Sequence, residues 1–130
     1  MDFSNYKNML VDDLVAMRCI ISGLLRESGF SRISEAADGA EALRKLEVGD
    51  CQLIVSDWNM PNMTGLELLK AVRNSPELKH LPFLLVTAEA RKDKIIEAAK
   101  AGADGYIVKP LTSAMLGKKI EVILKRKAEI

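Results

Sequence analysis

Leu53, Ile54 and Val55 form an unbroken apolar run that stops at Ser56-Asp57, with Pro61 soon after. No polar residue alternates within it. That pattern belongs to a strand buried on both faces, as in a parallel sheet covered by helices. Pro61 ends any further ladder pairing. Asp57 is therefore placed at the carboxyl end of a central strand, and in open α/β sheets that edge is where ligands bind.

The rest of the chain repeats the plan. Lys7 to Val11 reads as a first strand running into Asp12-Asp13, although Asn8 is a poor residue for a buried strand. Leu14, Met17, Ile21, Leu24 and Leu25 then recur at helical spacing up to Gly29. A more polar strand over 31–36 suits a sheet edge. Asp38 followed by Glu41 resembles a capping box, with Ala42, Leu43 and Leu46 behind it and Gly49 at the end. After the Asp57 strand, Thr64-Gly65-Leu66-Glu67 is a capping box opening a helix with Leu66, Leu69 and Val72 on its apolar stripe. Phe83 to Thr87 is another buried strand. Residues 91–100 form a helix carrying Ile95, Ile96 and Ala99. Gly105 to Val108 is the fifth strand, and Thr112 caps a last helix with Leu116, Ile120, Ile123 and Leu124 inward. Five strands alternating with five helices predict an α/β fold: a doubly wound five-stranded parallel sheet with right-handed crossovers and helices on both faces.

Residues 1–130 read as one domain with no output domain attached. A formal net charge of +1 gives no reason to expect nucleic acid or an anionic membrane as a partner. No apolar stretch approaches the roughly 20 residues of a membrane helix, and the amino terminus has no secretory pattern. A cytoplasmic protein is expected, with Cys19 and Cys51 as buried, reduced thiols. His80 has no catalytic partner nearby in sequence and reads as a loop residue.

The strand ends carry the chemistry. Asp12-Asp13, Asp57, Thr87-Ala88 and Lys109-Pro110 all fall on one sheet edge. Each alone has a plain structural reading: a helix cap, a turn, a β-branched strand residue, a solvated lysine. Together they supply three carboxylates, a hydroxyl and an ammonium. Three neighbouring carboxylates repel, so some protonate or a cation joins them. An all-oxygen set with no His or Cys suits Mg²⁺ before a transition metal. A carboxylate there can also act as a nucleophile and form an aspartyl phosphate, with Lys109 offsetting phosphoryl charge and Thr87 donating a hydrogen bond.

At Val11-Asp12-Asp13, Ser56-Asp57-Trp58-Asn59-Met60-Pro61-Asn62-Met63, Val86-Thr87-Ala88-Glu89-Ala90, Gly105-Tyr106 and Val108-Lys109-Pro110, the chain resembles the response-regulator receiver family. Within it, the likeness is to the regulators of bacterial chemotaxis, over essentially the whole chain. The resemblance implies the flavodoxin-like strand order 2-1-3-4-5 and a cis Lys109-Pro110 bond. It implies Asp57 as phosphoacceptor for a histidine kinase, CheA, or a small donor such as acetyl phosphate. Mg²⁺ would be held by Asp13, Asp57 and the Asn59 backbone oxygen, with Asp12 acting through water. Asn59 and Glu89 would set the dephosphorylation rate, Thr87 would move toward the phosphoryl group, and Tyr106 would turn inward. The implied partner face comprises Ala90, with Lys92, Ile95 and Ala99 on the fourth helix, and Tyr106 and Val108 on the fifth strand. Leu111, Leu116 and Lys119 complete it. Its partners would be the flagellar motor switch protein FliM and the phosphatase CheZ, with the chain a monomer.

Asn8, Thr64, Leu111 and Gly117 depart from the family pattern. Asn8 and Gly117 are expected to cost stability, so that Phe at 8 and Glu at 117 should raise it, and Leu111 and Gly117 are expected to border the partner face. A relative that accepts phosphate without engaging the motor is the alternative reading. Three other classes share parts of the pattern. A flavin-type module would need glycines rather than Asp12-Asp13 in its first loop. A dehalogenase-type phosphatase would place its nucleophile on the first strand. A phosphate-independent binding module would not need the acidic site.

Overall fold

A computed structural model describes residues 2–88 and 90–128. Strands and helices alternate along the chain: β1 Lys7–Val11, α1 Val15–Glu27, β2 Arg32–Ala36, α2 Gly39–Val48 and β3 Leu53–Asp57, then α3 Gly65–Asn74, β4 Phe83–Thr87, α4 Lys92–Ala101, β5 Gly105–Val108 and α5 Ser113–Ala128. The five strands form one parallel sheet in the order β2-β1-β3-β4-β5. The polar strand β2 is an edge, as its sequence requires, and β3 and β4 are buried along their whole length.

Alternate residues of each inner strand face opposite layers. Met9, Val11, Ile54, Phe83 and Leu85 pack against α2, α3 and α4 through Ala42, Leu46, Leu68, Leu69, Val72 and Ala98. Leu10, Leu53, Val55, Leu84 and Val86 pack against α1 and α5 through Ile21, Leu25, Leu116, Ile120 and Ile123. The amino-terminal arm closes this second layer, where Phe3 stacks on Phe30 with ring centroids 4.6 Å apart. Asn8 lies in β1 with both side-chain polar atoms buried and without a hydrogen-bond partner.

Side-chain caps account for three of the five helix starts. Thr64 and Glu67 form the reciprocal capping box. Asp38 accepts from the Glu41 N–H at 2.8 Å, a one-way cap, and Thr112 Oγ1 accepts from the Met115 N–H at 3.1 Å. Several details differ from expectation. Leu14 precedes α1 and is exposed, because the helix starts one residue later and turns that position outward. Ala98, not named in the apolar stripe of α4, is its buried residue, while Ile96 is exposed along with Ile95, whose exposure its place on the implied partner face requires. Leu68 joins Leu69 and Val72 on the buried face of α3, with Leu66 only partly buried. Cys19 is exposed on α1, not buried; Cys51 is half-buried, and both are free. Burial pushes the Cys51 thiol above its ordinary value, which keeps it protonated and unreactive. His80 is exposed in a turn. Among the described residues no helix is long and apolar enough to cross a membrane.

Candidate functional site

Strand register brings the site together. Val11 pairs with Ser56, so the next residues, Asp12 and Asp57, emerge side by side. Asp57 pairs with Val86, which sets Thr87 one step beyond it, and Thr87 pairs with Val108, which sets Lys109 at the same edge. The Lys109 N–H donates to the Thr87 carbonyl at 2.8 Å, and the Lys109-Pro110 peptide is cis.

The charged groups converge. Asp12, Asp13 and Asp57 each present a carboxylate oxygen within 4.8 Å of the others. Lys109 Nζ donates to Asp57 Oδ1 at 3.2 Å and lies 3.6 Å from Asp12 Oδ2. Asp12 is buried. Its Oδ1 accepts from the Leu14 N–H at 3.0 Å, while Oδ2 accepts no hydrogen bond. Burial pushes the Asp57 carboxyl above its ordinary value; Lys109 opposes that rise and the Asp12 charge adds to it. Oxygen ligands in surplus over cations, one of them buried with an unused lone pair, fit a hard divalent ion. Asn59, two residues past Asp57, is exposed. Thr87 is fully buried. Glu89 lies outside the described residues.

Other residues hold this edge in place. Arg18 on α1 donates to the Asp12 carbonyl at 2.7 Å and to Glu35 Oε1 at 3.1 Å, fixing the acidic loop against β2. Ser56 Oγ donates to the Asp57 carbonyl at 2.9 Å, and the Gly65 N–H donates to the Trp58 carbonyl at 2.7 Å. A Cβ on Gly65 would collide with the Asp57 carbonyl, so the capping box tolerates only glycine after Thr64. The Trp58 ring is buried, meets Tyr106 edge-on at 6.1 Å, and has Lys94 Nζ 5.5 Å from its centroid. Sequence reading missed Arg18, the packing of Trp58 and Lys94; the one available signal was that Arg18 falls within two helical turns of Asp12-Asp13.

The expected partner face is placed only in part. Ala90, Lys92, Ile95, Ala99 and Lys119 are exposed, and Tyr106 and Val108 are half-buried. Tyr106, Val108, Met115, Lys119 and Val122 line a groove of about 530 Å³. Leu116, expected on this face, is instead fully buried in the α1–α5 layer, because its helical phase is that of Ile120 and Ile123. Leu111 and Gly117 also lie on the α1 side. Leu111 lines a small cavity with Met17 and Ile20, and Gly117 faces Ser28. Neither lines that groove, and Met115 and Val122, which do, were not anticipated.

Residues 9–121 match the response regulator receiver domain. The chain belongs to that family. Among curated relatives, this receiver is 55% identical over 120 residues to the chemotaxis protein CheY of Pseudomonas aeruginosa, covering 92% of this chain and 97% of that protein. It is 52% identical over 122 residues to chemotaxis protein CheY-3 of Vibrio cholerae, covering 94% of each. Among solved structures, Vibrio cholerae CheY4 superposes with a TM-score of 0.83 at 38% identity, over 91% of this chain and 98% of that one. The protein is a CheY-like response regulator receiver domain with the flavodoxin-like strand order.

Proposed function

We propose that this receiver accepts a phosphoryl group on Asp57 and, so modified, signals to the flagellar motor in the cytoplasm. The observation carrying the reading is the convergence of Asp12, Asp13, Asp57 and Lys109 at the carboxyl edge of the sheet, with Lys109 3.2 Å from Asp57. A phosphohistidine of a CheA-type kinase, or a small donor such as acetyl phosphate, supplies the group. An Asp57 carboxylate oxygen attacks phosphorus, the P–N bond breaks, and the imidazole departs with the bonding pair and is protonated. Lys109 lies where it offsets charge on the phosphoryl oxygens, and Thr87 donates a hydrogen bond to one of them. Asp13, Asp57 and the Asn59 backbone oxygen, with Asp12 acting through water, would hold Mg²⁺. When bound, the ion neutralises the clustered carboxylates and the phosphoryl charge.

Output passes to the groove around Tyr106 and Lys119. Its mixture of apolar lining and lysines suits an acidic amphipathic peptide such as the amino-terminal segment of FliM or a segment of the phosphatase CheZ. Neither Leu111 nor Gly117 is among the residues that line this groove, which supports motor binding over a receiver that only absorbs phosphate. The test is binding of the FliM amino-terminal peptide with Mg²⁺ present, before and after beryllofluoride, which stands in for the phosphoryl group on Asp57. Binding should tighten on addition and not in Asp57→Asn. If Asp57 takes up beryllofluoride while peptide affinity stays weak, the acceptor chemistry stands and the motor output is refuted.

A further inference from the structure

Arg18 holds the turn that carries Asp12 and Asp13 at two points. Its own N–H donates to the Leu14 carbonyl at 2.9 Å, and its side-chain Nη1 donates to the Asp12 carbonyl at 2.7 Å. Asp13 lies between the two held carbonyls. Nε of the same guanidinium donates to Glu35 Oε1 at 3.1 Å, which ties the turn to β2. Asp12 is held at its other atoms as well. Its N–H donates to the Ala36 carbonyl at 3.2 Å, and its Oδ1 accepts from the Leu14 N–H at 3.0 Å. These bonds leave Oδ2 buried, accepting no hydrogen bond, 3.6 Å from Lys109 Nζ. The direction of that unused lone pair is therefore set by the turn, and Arg18 is the side chain that fixes the turn. By charge alone Arg18 is ill placed, because a cation beside three carboxylates lowers their attraction for a metal ion. Its geometry, not its charge, serves the site.

Resting on the reading of Asp12, Asp13 and Asp57 as a Mg²⁺ site, we propose that Arg18 is a positioning residue for metal selectivity: it keeps the Asp12-Asp13 turn rigid, so that the acidic cluster favours Mg²⁺ over the larger Ca²⁺. Mg²⁺ demands near-octahedral oxygen ligands at about 2.0–2.1 Å, whereas Ca²⁺ accepts irregular shells at about 2.3–2.6 Å. A turn pinned at both carbonyls keeps its carboxylates at one spacing. A loosened turn opens to suit the larger ion at little cost, and must be re-ordered to suit the smaller one. The two ions carry the same charge. Loss of a nearby cation therefore moves both affinities together, and a change in their ratio reports geometry.

The test is calorimetric titration of the whole chain with Mg²⁺ and, separately, with Ca²⁺. Arg18→Lys keeps the charge, but an ammonium lacks the planar fork that bridges the Asp12 carbonyl and Glu35. It should weaken Mg²⁺ binding about ten-fold, the low end for losing a group that orients a metal ligand, and Ca²⁺ binding by about two-fold at most. Arg18→Met removes the charge as well. Both ions should then bind more tightly than in Arg18→Lys by one common factor, with the ratio of their affinities unchanged from that variant. Glu35→Ala frees the guanidinium from β2 and should shift the ratio in the same direction. Combined with Arg18→Lys it should shift the ratio no further, since both changes break one brace. Melting without divalent ions identifies any variant that fails to fold. The Glu35 side chain is 47% exposed, so Glu35→Ala decides the matter if the Arg18 variants do not fold. An equal loss for both ions, or an unchanged ratio, overturns the proposal. If wild type binds neither ion, or Asp13→Ala leaves Mg²⁺ affinity intact, the metal reading itself has failed and the role of Arg18 falls with it.

Discussion

Asp57 sits in an environment that opposes its charged form. Its carboxyl is raised, first by burial and then by the Asp12 charge, against the pull of Lys109. Below the ordinary carboxyl value of 3.8 both folded and unfolded chains carry the proton, so the group costs nothing. As pH rises past 3.8, the unfolded chain releases its proton first and native stability declines until the folded carboxyl also ionises. Asp57→Asn removes that cost. In urea titrations without divalent ions the variant should be more stable than wild type at pH 7, with the gain vanishing below about pH 4; a variant less stable at pH 7 would contradict this. Asn8 poses a simpler case. A fully buried amide with neither polar atom partnered carries an uncompensated desolvation cost of about 1–3 kcal/mol. Asn8→Leu, of similar shape, should raise the urea midpoint accordingly with an unchanged slope. The chemical identities of these residues were legible in the sequence, and so was the oddity of Asn8. The support around them was not: Arg18 reaches the Asp12 carbonyl through a tertiary contact, which no local spacing encodes.

Among the elements, α1 and α5 show how a helix-level inference fails. Gly117 looks like a defect, since glycine within a helix costs about 1 kcal/mol against alanine. In the fold it is the point where α5 passes Ser28, and an added Cβ would lie 3.3 Å from both Cβ and Oγ of that serine. Ser28 has little freedom to give way, because its hydroxyl sits 2.9 Å from both the Leu24 and the Ser113 carbonyl, sharing its one hydrogen between them. Gly23 on α1 provides the contrast, with nothing within 4 Å of its would-be Cβ. Gly23→Ala should therefore gain the full ~1 kcal/mol of helix propensity, whereas Gly117→Ala should leave the urea midpoint unmoved or lower it. Equal gains at both positions would show that the α1–α5 contact is softer than its geometry indicates. On the same grounds Glu at 117 is now expected to destabilise. Strand positions were legible because each apolar run is short and bounded by turn residues. The buried face of α4 was not, because it rests on the small Ala98, and periodicity alone reads an apolar stripe such as Ile95 and Ile96 as inward; only the family likeness placed Ile95 on the exposed face.

For the molecule as a whole, parallel crossovers specify handedness and layering but not which strands are neighbours. The order β2-β1-β3-β4-β5 came from the family likeness, and the register that places Asp12 beside Asp57 came only with the structure. That register ties stability to metal. The acidic cluster joins the ends of β1 and β3, which meet only in the folded chain, so an ion held there binds the native state alone. Mg²⁺ at a hundred times its dissociation constant should then add about 2.7 kcal/mol, a rise in melting temperature of roughly 10 °C for a domain of this size. Asp13→Ala tests the source of that gain. Asp13 is only half-buried, so its loss leaves the core intact, and the fold should melt near the wild-type temperature without metal. With Mg²⁺, most of the rise should disappear. A rise of equal size in Asp13→Ala would mean that the ion acts elsewhere on the surface. No rise in wild type would mean that Lys109, close to both Asp12 and Asp57, already meets the electrostatic need of the cluster.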